Sequence, residues 1–265
     1  RHLARWRLSS HRVSSAGRGP LQAVIFDVDG TLVDSERDGH RVAFNMAFEE
    51  FDLPYRWDVD EYGELLSITG GQRRIDHYLA DQGVDDEERE RLAPALHKRK
   101  TEILNELVEE GKVEVRPGAH RLLDELVEAG TELAVATTGS RGWVDRLLRR
   151  LLPDIEFGVI VTGDDVSERR PDPEAFTIAL ERLEEPAENV VAVEDSDNGV
   201  EAAVAAGLAC VAVVNGYTRD QDLEGAGLVL DGFGEPDAPA EVLADRAGTG
   251  CQGVLDRETL ERLLG

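Results

Sequence analysis

Between positions 21 and 34 the chain reads LQAVIFDVDGTLVD: an apolar run stops at two carboxylates one residue apart, Asp27 and Asp29, with Gly30 and Thr31 directly after. A short apolar run bounded by a turn signal predicts a buried strand. The two acids then stand at its C-terminal tip, the edge of an open α/β sheet where ligands bind. Carboxylates crowded together there repel each other and lose hydration, a cost that a divalent cation or a transferred proton relieves. An acidic turn would account for one Asp beside a glycine, but not for the whole string. A second apolar run, 190–193, also ends in acids, Glu194 and Asp195.

The elements that must position these acids follow from the patterns around them. From position 36 to about 111 the chain reads as mainly helical: 41–51, a segment around 61–67, 72–82, and a long run 86–110 interrupted at Pro94. Apolar positions such as Phe44, Phe48 and Phe51 are set against acids and arginines. At Arg116-Pro117-Gly118 the chain turns, and helices begin to alternate with strands: helix 120–129, strand 132–136, helix 141–152, strand 158–161, helix 174–183, strand 190–193, helix 199–206, strand 209–214. A short strand 228–230 and a closing helix 256–264 follow, and 232–253, rich in Gly, Pro and Ala, reads as an irregular surface connection. Such alternation implies right-handed crossovers and a parallel sheet covered on both faces. The predicted fold is α/β: a doubly wound, Rossmann-like parallel-sheet core formed by 21–34 and 115–265, with an all-helical cap inserted as 35–114.

Composition bounds the partners. With 55 acidic against 29 basic side chains the net charge is −26, and Lys98, Lys100 and Lys112 are the only lysines. A field of that sign repels nucleic-acid phosphates and anionic lipid, and no window approaches the roughly 18 apolar residues that a membrane span needs. Neither nucleic acid nor membrane is therefore an expected partner. Acid enrichment with arginine in place of lysine resembles the composition of proteins from salt-accumulating microbes. Cys210 and Cys251 stand far apart without metal-ligand spacing, which suits a reducing, cytoplasmic setting; a monomer is expected. Residues 1–20 carry Arg and Ser but no acid, and are set apart from the fold as a basic leader. Between an organellar transit peptide and a translation start placed too early, the second is the expectation.

The string Asp27-Val28-Asp29-Gly30-Thr31 resembles the nucleophile motif of the haloacid dehalogenase-like hydrolases. Three later segments match that family's other motifs in order: Val135-Ala136-Thr137-Thr138, the stretch from Gly163 to Pro173, and Val193-Glu194-Asp195-Ser196-Asp197-Asn198-Gly199. The resemblance implies that Asp27 is a nucleophile forming an aspartyl-phosphate, which splits one difficult hydrolysis into two easier displacements. Asp29 would protonate the leaving alkoxide and then activate water, its backbone carbonyl helping to hold a metal. Thr137 would bind phosphoryl oxygens, with Thr138 and the strand-to-helix turn supplying further donors. Glu194 and Asp195 would join Asp27 and Asp29 in a Mg²⁺ site, while Asp197 and Asn198 cap the next helix. One position departs from the family: the residue before Pro171, usually Lys, is Arg170. It supplies charge to the nucleophile and the phosphoryl group through a planar, bulkier head, with Arg169 as the fallback.

Within the family the chain resembles the CbbY-type sugar-phosphate phosphatases. The match rests on Asp34-Ser35-Glu36, on His40-Arg41-Val42-Ala43-Phe44-Asn45, on Glu61-Tyr62-Gly63-Glu64-Leu65-Leu66, and on Thr69-Gly70-Gly71-Gln72-Arg73-Arg74-Ile75. It implies a small phosphorylated sugar as substrate, xylulose 1,5-bisphosphate being the known example. A bisphosphate needs a second anion site away from the nucleophile. Gly70-Gly71 would offer unobstructed N–H groups before a helix, Arg73 or Arg74 a bidentate clamp, and His40, Arg41 and Tyr62 contacts to hydroxyls or phosphate. The alternative is a mutase of the β-phosphoglucomutase type, which returns the phosphoryl group to a sugar instead of water.

Overall fold

In the computed structural model, residues 20–265 are described, and the basic leader expected over 1–20 lies, but for Pro20, outside the described residues. The apolar runs become the strands β1 (Ala23–Phe26), β2 (Glu132–Ala136), β3 (Val159–Val161), β4 (Val190–Glu194), β5 (Ala209–Val213), β6 (Leu228–Leu230) and β7 (Val242–Asp245). They form one sheet in the order β3-β2-β1-β4-β5-β6-β7, all parallel except β7, which pairs antiparallel with β6. β1 lies where the strand order reverses, with Phe26 opposite both Val135 and Val193. That register sets the acidic ends of β1 and β4 side by side at the switch point of the sheet.

After β1 the chain leaves the sheet. A π-helical turn, Glu36–His40, runs into α1 (Arg41–Glu50), then α2 (Val59–Leu65), α3 (Gly71–Asp81) and α4 (Asp86–Glu109), with no strand among them. The outgoing and returning links pair with each other: Val33 bridges Val115, the Asp34 amide donates to the Glu114 carbonyl, and the Arg116 amide donates to the Leu32 carbonyl at 2.9 Å. Contrary to expectation α4 is unbroken. Pro94 removes one backbone donor on the exposed side, while the opposite face buries Leu92, Leu96, Ile103, Leu104 and Val108.

The remaining helices, α5 (Ala119–Glu128), α6 (Arg141–Leu151), α7 (Glu174–Leu183), α8 (Asp197–Ala205) and α9 (Arg257–Leu263), cover the sheet. Alternation along β1 sorts them: Val24 and Phe26 share a core with Leu122, Leu126, Val144 and Leu260, whereas Ala23 and Ile25 share one with Phe176, Ala179, Val200 and Ala203. Burial on both faces is why β1 reads as a continuous apolar run. Two local expectations are corrected. The segment 232–253 contains β7, a strand whose partner is the otherwise open edge of β6. The cap of α8 is Ser196, whose hydroxyl accepts from the Gly199 amide, and Asp197 and Asn198 belong to the first turn. Among the described residues no helix is long and apolar enough to cross a membrane.

The turn into α5 depends on Gly118, which has φ +82° and would place a Cβ 2.3 Å from the Gly234 carbonyl oxygen. Gly118→Ala should lower the unfolding free energy by about 1–3 kcal/mol, read as a shifted denaturant midpoint. An unchanged midpoint would contradict this packing.

Candidate active site

The tips of β1 and β4 gather the acids. The Asp27 amide donates to the Val193 carbonyl, and its carboxylate, 3 % exposed, accepts from Arg170 Nη1 at 3.0 Å. One oxygen from each of Asp27, Glu194 and Asp195 falls within 4.8 Å of the others. Asp195 is held by the Thr31 hydroxyl on one oxygen (3.2 Å) and by Asn215 Nδ2 on the other (2.7 Å). The chain can pass this close only because position 30 is glycine: its φ is +87°, and a Cβ there would lie 2.6 Å from Asp195 Oδ2.

Glu194 is fully buried. Its Oε2 accepts from the Asp195 amide, while Arg170 Nη2 sits 2.6 Å from Oε1 but donates to the Ala136 carbonyl, leaving Oε1 in an ion pair without a hydrogen-bond donor. Burial pushes the pKa of Asp27 up and Asp29 adds to this, against the pull of Arg170. Burial likewise raises Glu194 well above the carboxylate range, and together with the charge of Asp27 it pushes Asp195 up to about 8. A buried all-oxygen cluster, short of positive charge and holding one oxygen without a donor, fits a hard divalent cation. Asp27, Glu194 and Asp195 would hold it.

Asp29 is treated differently by its surroundings. Burial acts to raise its pKa, but the charge of His40 and donors from His40 Nε2 (3.1 Å), Ser35 Oγ (2.6 Å) and Trp143 Nε1 (3.2 Å) hold it at about 2. Behind His40, Lys100 Nζ lies 2.7 Å from Nδ1, within hydrogen-bonding distance. Lys100 is 4 % exposed and burial lowers it to about 8. The π-helical turn, in which the His40 amide donates to the Ser35 carbonyl, aims His40 back toward the strand tip.

These groups face a cavity of about 500 Å³ between the sheet tips and the inserted helices. Of the residues singled out in the sequence, Asp27, Asp29, His40, Gly70, Gly71, Arg73, Arg74, Thr138, Arg170 and Asp195 line it. Thr137 lies beneath the wall, its hydroxyl accepting from the Gly139 amide at 3.4 Å. Arg41 and Tyr62 do not reach the cavity. Arg41 donates to the Trp57 carbonyl, and Tyr62 is buried beside Phe44 and Trp57, its hydroxyl donating to Glu36 at 2.6 Å. Arg74 is 7 % exposed and is tied to the Leu65 and Ile68 carbonyls and the Tyr62 hydroxyl, so it secures the end of α2 more than it presents a free fork. Sequence reasoning missed Ser35, Lys100, Trp143 and Asn215. Lys100 carried a signal as one of three lysines in an arginine-rich chain, and Ser35 lies within the matched segment Asp34-Ser35-Glu36; Trp143 and Asn215 carried none.

The site is thus an acidic centre at the switch point of a doubly wound α/β sheet, faced by helices inserted after the first strand. The family model of the haloacid dehalogenase-like hydrolases matches residues 21–207, and the chain belongs to that family. It is 42% identical over 222 residues to Protein CbbY of Cereibacter sphaeroides, covering 81% of this chain and 94% of that one. A crystal structure of a CbbY variant from Rhodobacter sphaeroides in complex with xylulose 1,5-bisphosphate superimposes with a TM-score of 0.71 at 38% identity, covering 80% of this chain and 94% of that chain. A putative β-phosphoglucomutase from Thermotoga maritima gives a TM-score of 0.60 at 30% identity, over 77% and 89% of the two chains.

The raised carboxyls tie stability to pH. A carboxyl with a higher pKa folded than unfolded keeps a proton that the unfolded chain has lost, so folding weakens as pH rises toward the folded value. His97, lowered by burial to about 4 from an ordinary 6.5, is neutral in both states above pH 6.5, and Lys100 is charged in both below its folded value of about 8. Between those limits the unfolding free energy of metal-free protein should fall, by up to about 1.4 kcal/mol per pH unit for each retained proton. Saturating Mg²⁺ should flatten the slope in a denaturant titration; a metal-free slope of zero or opposite sign would refute it.

Proposed function

We propose that the protein is a Mg²⁺-dependent phosphatase that hydrolyses a small phosphorylated sugar, xylulose 1,5-bisphosphate being the leading candidate, through an aspartyl-phosphate. The observation that carries this reading is the Asp27 carboxylate, buried at the tip of the central strand, held by Arg170 and grouped with Glu194 and Asp195. Residues 35–114 form the cap of this reading, and 21–34 with 115–265 its core. Mg²⁺, when bound, supplies charge to offset the phosphoryl oxygens and orient them for in-line attack.

The chain's own groups account for the rest. An Asp27 carboxylate oxygen bonds to phosphorus as the ester oxygen leaves, and Asp29 gives that oxygen its proton. Asp29 then takes a proton from water as the water oxygen bonds to phosphorus, freeing Asp27 and inorganic phosphate. Because Asp29 is ionised in the free protein, its proton has to be supplied, and the line Lys100–His40–Asp29 leads one from the inserted helices to the acid. Thr137 and Thr138, at the end of β2, are the phosphoryl-binding groups of this reading.

For a bisphosphate the second anion would sit near Gly70 and Gly71 at the start of α3. Arg73 and Arg169 are both exposed and both line a cleft of about 540 Å³ at the cavity mouth, and neither is engaged by a carboxylate among the described residues. His40 completes the cavity contacts proposed for substrate. The mutase alternative shares the first displacement and differs only in what accepts the phosphoryl group; the similarity to a putative β-phosphoglucomutase supports keeping it.

Incubation with Mg²⁺ and xylulose 1,5-bisphosphate should release inorganic phosphate, and Asp27→Asn should abolish it. Conversion of β-glucose 1-phosphate to glucose 6-phosphate in the presence of a bisphosphate primer, without free phosphate, would favour the mutase. Arg73→Ala should raise KM for the bisphosphate roughly tenfold or more and leave that of a monophosphate nearly unchanged. An equal effect on both would remove Arg73 from the distal site.

A further inference from the structure

Arg116, the residue at which the chain returns from the inserted helices, is 9 % exposed and forms no ion pair among the described residues. A buried guanidinium is costly unless its N–H groups are matched. Here they are matched to carbonyl oxygens from three parts of the core. Nη1 donates to Gly30 at 2.8 Å and to Val213 at 2.7 Å, and Nη2 donates to Val214 at 2.7 Å and to Asp231 at 3.2 Å. The head also lies 5.9 Å from the ring centre of Phe233.

The Gly30 carbonyl gives this clamp its significance. It follows Asp29 directly, and it also accepts from Asn215 Nδ2 at 3.3 Å, the same amide that holds Asp195 at 2.7 Å. The backbone amide of Arg116 meanwhile donates to the Leu32 carbonyl. One residue thus grips the 30–32 turn through backbone and side chain and joins it to the ends of β5 and β6.

We propose that Arg116 is a positioning residue for the carboxylate centre: by clamping the Gly30 carbonyl to the ends of β5 and β6 it fixes the Asp29–Gly30 turn against Asp195 and so sets the spacing of the cation-binding oxygens. This rests on the phosphatase reading for its effect on turnover, but not for its effect on cation binding. Lysine at 116 keeps the charge and loses the fork that spans several carbonyls.

The test is Arg116→Lys, with Arg116→Gln as a second variant that keeps side-chain donors but loses the guanidinium fork and its charge. Melting temperature is titrated with Mg²⁺ in the absence of substrate, and hydrolysis of p-nitrophenyl phosphate is measured alongside. The Mg²⁺ midpoint should move roughly ten- to a hundredfold higher and kcat should fall by a similar factor, with KM changed by less than about twofold. Variants that melt lower but keep the wild-type Mg²⁺ midpoint and kcat would show a purely structural role and overturn the proposal. If Arg116→Lys does not fold, an unchanged Mg²⁺ midpoint in Arg116→Gln overturns it equally. A wild-type protein that hydrolyses no ester while the Mg²⁺ midpoints still shift would sink the phosphatase reading and leave the positioning role standing.

Discussion

The constraint on which the structure depends is the density of negative charge at two neighbouring strand ends. Asp27, Glu194 and Asp195 are buried with their oxygens within 4.8 Å of one another, and Asp29 stands two residues from the first of them. In a low-dielectric interior such a group is stable only where cations and donors are aimed at it. Arg170 provides the nearest charge and shows what a guanidinium offers over an ammonium. One planar head donates to Asp27, lies beside Glu194 and reaches the Ala136 carbonyl, with the Phe176 ring 5.3 Å away. Of the two neighbouring arginines, Arg170 is the one in contact with Asp27, while Arg169 is exposed and lines the cavity and its mouth.

The inserted helices answer the same constraint from the other side. His40 and Lys100 approach Asp29 along one hydrogen-bonded line, while Glu36, Tyr62 and Arg74 form another network above it. The roof is anchored by an aromatic cluster in which Trp57 packs on Phe44, Phe48 and Tyr78. Tyr62 does not reach the cavity, and Arg74 lines it with its guanidinium tied to the Leu65 and Ile68 carbonyls and the Tyr62 hydroxyl, so both hold the shape of the site.

Much of the fold was legible because its signals are local. The runs that become β1, β2, β4 and β5 are apolar on both faces and end at turn residues, and the helical insertion has no competing strand pattern. Where the reading failed, the deciding contact was remote. Nothing near Val242 shows that β6 leaves an edge free to pair, and nothing near Pro94 shows how much apolar surface α4 buries on its other face. In the candidate site the acids were visible because they interrupt apolar runs, whereas Asn215 and Trp143 are ordinary residues in ordinary contexts.

The sequence by itself determined the reactive inventory: two acids at one strand end, two at another, an arginine before Pro171, and the order in which these occur along an alternating chain. Pattern and period carry that information, because burial on both faces of a strand is written in consecutive residues. Only the tertiary structure decided which groups meet. It set β4 beside β1, brought His40 and Lys100 to Asp29 from the inserted helices, and clamped the Asp29–Gly30 turn with Arg116. Those choices depend on contacts between residues many positions apart, 60 for Lys100 with His40 and 164 for Thr31 with Asp195, and no local periodicity encodes them.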